Sequence, residues 1–293
     1  MNEAPQEALW GLSGILGAIA ARVVDGGRRA RPTVSTLDFS IDDLGPQFDG
    51  YTFVVLADLH HAPTRKVQWL REVVDLANAA APDVIALLGD YATSFRRTPS
   101  MSRVWYRTAL SAMASVCEGL RARDGVVAVL GNHDYYADAE YVQGWLRGIG
   151  ADVLVNQARL IRRGDSLLRI AGMDDVNVGE LDARAGCGVG VEVPTVVLTH
   201  HPDGILHLAP DLRVDVVLAG HTHGGQVVIP GIGAPLTMSR VCGRRTASGW
   251  VPNDRAALYV SRGVGAQLPL PIRLNCPAEI LVFRLRAGRQ HPL

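Results

Sequence analysis

The chain has 293 residues, of which 48% are hydrophobic, enough to bury the core of one large domain or two small ones. Its 29 basic and 29 acidic side chains cancel, so the charge gives no reason to expect a nucleic acid as partner. The cysteines lie far apart and form no CxxC pair, which argues against a disulfide framework or a thiolate zinc site and is typical of a reducing compartment. They are Cys117, Cys187, Cys242 and Cys276.

Residues 1–44 contain an apolar stretch, Ala8 to Ala21, that is shorter than the roughly 20 residues needed to cross a bilayer. Its large side chains would share one face of a helix. One interpretation is a helix packed on the domain or a frayed terminus, and another is a true span or signal. A third is a membrane-surface helix. It predicts that residues 8–31 bind the cytoplasmic face of the membrane; without this contact the protein would be purely cytoplasmic. The basic residues that would support it are Arg22, Arg28, Arg29 and Arg31.

Predicted strands and helices alternate in the first half of the chain. Short apolar, β-branched runs predict strands at Thr52 to Ala57, Val84 to Leu88 and Val126 to Leu130. Between them, apolar residues at helical spacing predict two helices. This alternation predicts an α/β protein with a parallel sheet.

After Gly131 the pattern changes to a short helix and then briefer strands. The tail also contains two strand-like runs, at Leu258 to Ser261 and Ile280 to Leu285, which indicate a second sheet. No internal boundary is evident after about residue 45. We therefore predict a segment 1–44, one domain 45–287 and a tail 288–293. The other predicted strands are near Val153 and Leu160, and at Leu167 to Ala171, Thr195 to Leu198 and Val214 to Ala219.

Five of the predicted strands end in metal-ligand residue types. In α/β sheets, ligands bind at the carboxyl ends of the strands. Carboxylates and imidazoles gathered at one such edge suit hard or borderline divalent ions. Each motif by itself would be an ordinary turn or cap, but five together favour a metal site. They are Asp58-x-His60, Gly89-Asp90, Gly131-Asn132-His133-Asp134, Thr199-His200 and Gly220-His221-Thr222-His223.

The order D-x-H, G-D, G-N-H-D, H, G-H-x-H resembles that of the calcineurin-like metallophosphoesterases, from about Gly45 to Arg286. It is most similar to a bacterial subgroup with an N-terminal apolar segment, a DLH motif and a GHTHGGQ motif. The resemblance implies an α/β sandwich of two β-sheets flanked by helices. It also implies hydrolysis of a phosphomonoester, phosphodiester or diphosphate bond.

The resemblance further implies two divalent metal ions, with manganese expected first and iron, zinc or magnesium as alternatives. Asp90 would be shared by both ions. His133 is similar to the family residue that donates a proton to the leaving oxygen or stabilises charge there, with Asp134 behind it. The first ion would be held by Asp58, His60, Asp90 and His223, and the second by Asp90, Asn132, His200 and His221.

Several nearby residues have more than one interpretation each. Arg262 is a candidate phosphate-binding group, or else a surface or structural arginine. His61 either lines the pocket, or supports a metal ligand from behind, or is exposed. Asp174-Asp175 either faces the site or forms a loop turn. For His201-Pro202-Asp203 we predict a turn in which Asp203 caps a helix.

The substrate stays open at this level. The apolar and basic segment favours a lipid-linked or cell-envelope phosphoester or diphosphate. The alternatives are a soluble phosphodiesterase or phosphatase of a small molecule, and a metal-binding module without turnover. A dinuclear hydrolase of a non-phosphate bond such as a lactam would be expected to carry an HxHxDH run, which the sequence lacks.

Overall fold

The computed structural model describes residues 31–62, 67–94, 99–188, 192–267 and 272–289. The predicted apolar segment, Ala8 to Ala21, lies outside these residues, as do Arg22, Arg28 and Arg29. Among the residues described, no helix has the length and hydrophobicity needed to cross a membrane.

The described residues form two six-stranded sheets and the helices that cover them. The strands are β1 (Thr33–Ile41), β2 (Thr52–Leu56), β3 (Val84–Leu87), β4 (Val126–Ala128), β5 (Ala151–Val153), β6 (Gln157–Arg163), β7 (Ser166–Gly172), β8 (Thr195–Leu198), β9 (Val216–Ala219), β10 (Gly249–Trp250), β11 (Ala257–Val260) and β12 (Glu279–Ala287). The helices are α1 (Val67–Ala79), α2 (Pro99–Cys117), α3 (Asn132–Ala137), α4 (Ala139–Gly148) and α5 (Ala183–Cys187), with 3₁₀ turns at Pro46–Phe48, Pro202–His207 and His223–Gly225.

The first sheet has the order β1-β12-β2-β3-β4-β5. Strands β2 to β5 are parallel neighbours, as the alternation of strands and helices predicts. Every residue of β2, β3 and β4 is buried, which is why these strands read as continuous apolar runs. Because the strands are parallel, their carboxyl ends meet at one edge.

The N-terminal limit of this sheet lies earlier than the predicted domain boundary at residue 45. Strand β1 pairs in parallel with β12 along its whole length, from Thr33 with Glu279 to Ile41 with Ala287. Residues 33–41 therefore belong to the sheet, and we place the boundary before Thr33. The signal was a weak alternation, in which apolar Leu37, Phe39 and Ile41 are separated by polar residues.

The second sheet has the order β10-β11-β9-β8-β7-β6. Strands β7, β8, β9 and β11 are parallel neighbours. The two strand-like runs of the tail thus belong to different sheets. Strand β11 joins the second sheet beside β9, whereas β12 returns to the first sheet and runs antiparallel to β2.

The two sheets face each other across an apolar layer, and alternation along each strand divides the core. In β2, Phe53 and Val55 belong to the layer between the sheets, whereas Val54 and Leu56 pack with the cluster that includes α1 and α2. The outer face of the second sheet is covered by α5 and by the 3₁₀ turn at Pro202–His207. The predicted sandwich of two sheets flanked by helices is therefore confirmed. All four cysteines are buried and free.

Candidate metal centre

The predicted ligands meet at the edge where the carboxyl ends of both sheets adjoin. Asp90 follows β3 and lies at the middle, with its Oδ2 3.4 Å from His60 Nε2 and 3.3 Å from His200 Nε2. His200 follows β8 of the other sheet, and its Nε2 is 3.2 Å from Asn132 Oδ1. The packing of one sheet on the other therefore closes the site.

The ligand-type atoms form overlapping groups that share His60 and Asp90. Within each group, the atoms lie within 4.8 Å of one another. Two of the groups each hold part of one predicted ligand set, and a third adds His133. The groups are Asp58, His60 and His223; Asp90, His200 and His221; and His60, Asp90 and His133.

Hydrogen bonds at the back of the rings aim the histidine lone pairs inward. His200 Nδ1 donates to Leu88 O at 2.7 Å, so its Nε2 lone pair faces Asp90. His221 is reversed, because its Nε2 donates to Met238 O at 3.3 Å and its Nδ1 lies 3.2 Å from His200 Nε2. His223, two residues on, instead points Nε2 at Asp58 Oδ1, 3.7 Å away. Such outer partners fix the nitrogen that is available to a metal.

The backbone at these residues is strained in a way that marks a functional site. A positive φ is uncommon for residues other than glycine and costs on the order of 1–3 kcal/mol. Gly131 shows how close the packing is, since a Cβ there would lie 2.4 Å from Asp90 Oδ1. Five of the ten non-glycine residues with positive φ are candidate ligands: Asp58 (φ 55°), His60 (φ 39°), Asp90 (φ 55°), His221 (φ 70°) and His223 (φ 52°).

The electrostatics of the cluster favour a bound cation. Burial raises the pKa of Asp58 to about 6. Burial opposes the charge of Asp90 as well, yet the neighbouring His200 and His133 hold the pKa of this carboxyl well below its usual value. Both ring nitrogens of His60 are buried without a hydrogen-bond partner among the residues described. Buried polar atoms of this kind normally have a partner, and a divalent cation fits both the ring and the carboxylates.

His133 is held on both sides of its ring by residues that the sequence analysis did not select. Ser94 Oγ lies 2.9 Å from Nδ1 and 3.0 Å from the His133 carbonyl, while Gln267 Nε2 lies 2.8 Å from His133 Nε2. One tautomer satisfies all three contacts: Nδ1–H donates to Ser94, Ser94 donates to the carbonyl, and the Gln267 amide donates to Nε2. Burial lowers the pKa of His133 to about 4. The ring is therefore neutral at neutral pH, and Nε2 is the atom that can take up and release a proton.

The predicted support of this ring by Asp134 is wrong. The Asp134 carboxylate is fully buried and accepts the backbone N–H groups of Gly131 at 2.6 Å, Asp90 at 3.0 Å and Tyr91 at 3.3 Å. The Tyr106 hydroxyl donates to it as well. Asp134 therefore fixes the loops on which Asp90 and His133 stand, whereas Ser94 orients the imidazole.

Replacing Ser94 by alanine is expected to lower turnover of a phosphoester with a poor leaving group by about fivefold, because one neutral hydrogen bond of about 1 kcal/mol is lost. Metal content and KM should stay unchanged, since Ser94 contacts His133 alone among the catalytic candidates. The conservative Ser94→Thr variant, which keeps the hydroxyl, should recover most of the rate. Equal losses in both variants would show that packing, not the hydrogen bond, matters here.

The two weaker substrate candidates lie in well-defined surroundings. Arg262 Nη2 is 3.1 Å from Glu279 Oε1 and 3.3 Å from Ser35 Oγ, so this side chain joins the loop after β11 to β1 and β12. These contacts agree with the structural interpretation of Arg262. His61 is fully buried, which excludes the exposed alternative, and its backbone bridges to Ala92.

The remaining polar pairs, His201 with Asp203 and Asp174 with Asp175, make hydrogen bonds that hold loops and turns. His201 itself caps the 3₁₀ turn, since its Nδ1 accepts the N–H of Asp203 at 3.1 Å, so the cap predicted for Asp203 is wrong. The Asp174 carboxylate accepts the N–H of Glu180 at 2.8 Å, and that of Asp175 accepts the N–H of Asn177 at 2.9 Å. Their interpretation as a loop turn agrees with these contacts.

Arg273 is a further residue that sequence reasoning missed. Its guanidinium donates to the carbonyls of Gly265 at 2.8 Å and His223 at 3.1 Å, which joins the loops after β9 and β11 beneath a predicted ligand. Neither Arg273 nor Gln267 stands at a recognisable motif. Ser94, four residues after Asp90, carried a positional signal only.

Two groups of carboxylate and imidazole ligand types, joined through the contact of Asp90 with His60, define a dinuclear metal hydrolase of the α/β sandwich type. When bound, such ions supply Lewis-acid activation and charge neutralisation for phosphoryl transfer. The sequence profile of the Calcineurin-like phosphoesterase family matches residues 51–225, and the chain belongs to that family. It is a metal-dependent phosphoester hydrolase.

Named relatives agree with this assignment. The chain is 29% identical over 289 residues to the uncharacterized metallophosphoesterase YkuE of Bacillus subtilis, covering 94% of this chain and 96% of that protein. It is 29% identical over 254 residues to the phosphodiesterase YaeI of Escherichia coli, covering 85% and 86%. A Danio rerio protein named "Transmembrane protein with metallophosphoesterase domain" is 30% identical over 267 residues. This match covers 85% of this chain but only 56% of the Danio rerio protein.

Proposed function

We propose that this chain hydrolyses a phosphodiester at a dinuclear manganese site. The observation that carries the proposal is the position of Asp90, whose Oδ2 lies within 3.4 Å of a histidine from each of the two ligand sets, His60 and His200. The ligand sets we propose are Asp58, His60, Asp90 and His223 for one ion, and Asp90, Asn132, His200 and His221 for the other. Manganese is the first choice, with iron, zinc or magnesium as alternatives, because geometry and availability decide between such ions more than raw affinity does.

The preference for a diester rests on the site and on one relative. His133 lies in one group with His60 and Asp90, so its ring, once it has taken up a proton at Nε2, can pass that proton to a leaving alkoxide. The similarity to YaeI, a protein named as a phosphodiesterase, supports the same bond type. Phosphomonoesters and diphosphates are the alternatives.

The test is metal analysis together with hydrolysis of bis-p-nitrophenyl phosphate by the purified full chain. We expect two divalent ions per chain, activity that is lost on treatment with EDTA, and recovery on addition of manganese. Parallel assays with p-nitrophenyl phosphate and a diphosphate ester establish the preference. A protein that holds two ions but cleaves none of these substrates would contradict the proposal and favour a binding module.

We further propose that the natural substrate is a lipid-linked phosphoester and that the protein lies at the membrane surface. The apolar stretch Ala8 to Ala21 and the arginines after it support this proposal from the sequence. Comparing flotation of the full chain with liposomes and with neutral detergent micelles is the first test. Recovery of the protein only in the unbound fraction would leave a small water-soluble phosphodiester as the better substrate.

A further inference from the structure

A loop beside the candidate metal centre carries half of the large apolar side chains that are exposed among the residues described. Eight large apolar side chains are exposed among the residues described, and four of them lie within residues 229–238. Contiguous exposed apolar side chains mark a contact with a partner or a membrane more often than single ones do. The four are Ile229 (38% exposed), Ile232 (52%), Leu236 (69%) and Met238 (70%). We call residues 226–245 the rim loop.

The backbone of the rim loop is held in place. Ile229 and Gly233 exchange two backbone hydrogen bonds, of 3.0 and 2.8 Å, which close a tight turn. Ala234 N donates to Arg244 O at 2.7 Å, so the two arms of the loop pair. Asp203 then anchors its far end by accepting the N–H of Arg240 at 2.9 Å. The apolar tips are thus presented by a defined backbone.

The rim loop is joined directly to the candidate metal ligands. Met238 O accepts hydrogen bonds from His221 Nε2 at 3.3 Å and from His201 Nε2 at 3.2 Å. Ala234 packs so closely on Gly225, two residues after His223, that a Cβ on the glycine would lie 2.3 Å from the alanine Cβ. A surface that covers the rim loop therefore lies next to the reacting centre.

The charge of the rim loop indicates which kind of surface would bind it. Arg240, Arg244 and Arg245 are exposed, and the sequence contains no acidic residue between Asp215 and Asp254. Arg245 Nη2 donates to Gly231 O at 3.1 Å, which holds this basic arm beside the apolar turn. Apolar tips bordered by arginines match a layer of acyl chains beneath anionic headgroups.

We propose that the rim loop docks on an anionic lipid bilayer, with Ile232 and Leu236 in the acyl boundary and the arginines at the lipid phosphates. The metal centre then faces a phosphoester whose remaining part stays embedded in the lipid layer. This assignment of substrate class rests on the proposed hydrolase function, whereas the docking itself rests on the rim loop alone. It does not depend on the N-terminal segment.

The experiment places an environment-sensitive probe on the rim loop of the full chain. Because the four native cysteines are buried, the exposed thiol of Leu236→Cys can be labelled selectively with a nitrobenzoxadiazole dye. Leu160→Cys, at a 55% exposed position in β6, is the matched control. Ile232→Cys provides a second position on the rim loop should labelling at residue 236 disturb the fold.

With vesicles of phosphatidylglycerol and phosphatidylcholine, we expect the emission from the rim-loop positions to shift to shorter wavelength and to be quenched by brominated acyl chains. The dye at residue 160 should show neither effect. Vesicles of phosphatidylcholine alone should give a weaker response, because the arginines then lack anionic partners. No response at either rim-loop position, or equal responses at residues 160 and 236, would overturn the proposal and favour a protein partner.

The emission of the dye does not depend on hydrolysis of a phosphoester. A protein that inserts its rim loop but cleaves no phosphoester would contradict the proposed function and leave the docking intact. A protein that cleaves bis-p-nitrophenyl phosphate but inserts nothing would contradict the docking alone.

Discussion

Replacing Asp90 by asparagine is expected to release both metal ions and abolish hydrolysis. Asp90 Oδ1 accepts the N–H of His133 at 2.8 Å, while Oδ2 faces His60 and His200. The side chain of asparagine has one acceptor oxygen, and we expect this oxygen to accept the hydrogen bond from the His133 N–H. The opposite orientation would place the amide NH₂ against that N–H donor, and the two would repel each other. The NH₂ group then faces His60 and His200, and it would have no lone pair to offer a cation there.

Loss of an outer-shell partner costs up to about 100-fold in metal affinity or activity. The loss for Asp90→Asn should exceed this range, because we propose that Asp90 binds both ions directly. Metal analysis after gel filtration and the rate with bis-p-nitrophenyl phosphate measure it. The matched control is Asp174→Asn, an aspartate that is also buried but whose hydrogen bonds go to loop residues such as Glu180. If Asp90→Asn still held two ions with unchanged affinity, Asp90 would not bridge them.

Replacing His133 by alanine is expected to leave both ions bound but to slow hydrolysis by about 10²–10⁴-fold, the usual effect of a positioned proton donor. Both ring nitrogens of His133 already have hydrogen-bond partners, Ser94 and Gln267, whereas those of His60 have none among the residues described. A metal ion therefore needs His133 less than it needs His60. The deficit should be largest for a phenyl ester and smaller for a nitrophenyl ester, whose leaving group needs no proton.

The control for this variant is His207→Ala, which removes an exposed histidine from the turn at Pro202–His207. Its rate and metal content should match those of the native protein. If His133→Ala lost metal instead, the group formed by His60, Asp90 and His133 would be a true ligand set. His133 would then have to be reassigned from proton donor to ligand.

The location of the chemistry could be predicted because each candidate ligand adjoins the strand that presents it. Asp58 and His60 follow β2, and Asp90 follows β3, within a few residues of covalent chain. Burial of the apolar run fixes the strand, and the strand fixes where the next residues emerge. The parallel sheet then brings these ends to one edge.

The partners of the catalytic candidates could not be predicted in the same way. The resemblance to the family placed Asp134, the next residue in the motif, behind His133. In the fold, the Asp134 carboxylate accepts hydrogen bonds from backbone N–H groups. The His133 ring instead contacts Ser94, 39 residues away, and Gln267, 134 residues away. Hydrogen bonds between distant loops depend on side-chain geometry that no local pattern encodes.

The sequence by itself determined the strand-end motifs, the α/β class and the family, because these depend on hydrophobic periodicity and on short covalent spacing. Only the tertiary structure decided that β1 and β12 close the first sheet, and that Arg262 is occupied by Glu279 and Ser35. It alone placed the backbone of the rim loop, at Met238 O, beside His221. Each of these depends on contacts between segments far apart in the chain, which form only when the two sheets pack face to face.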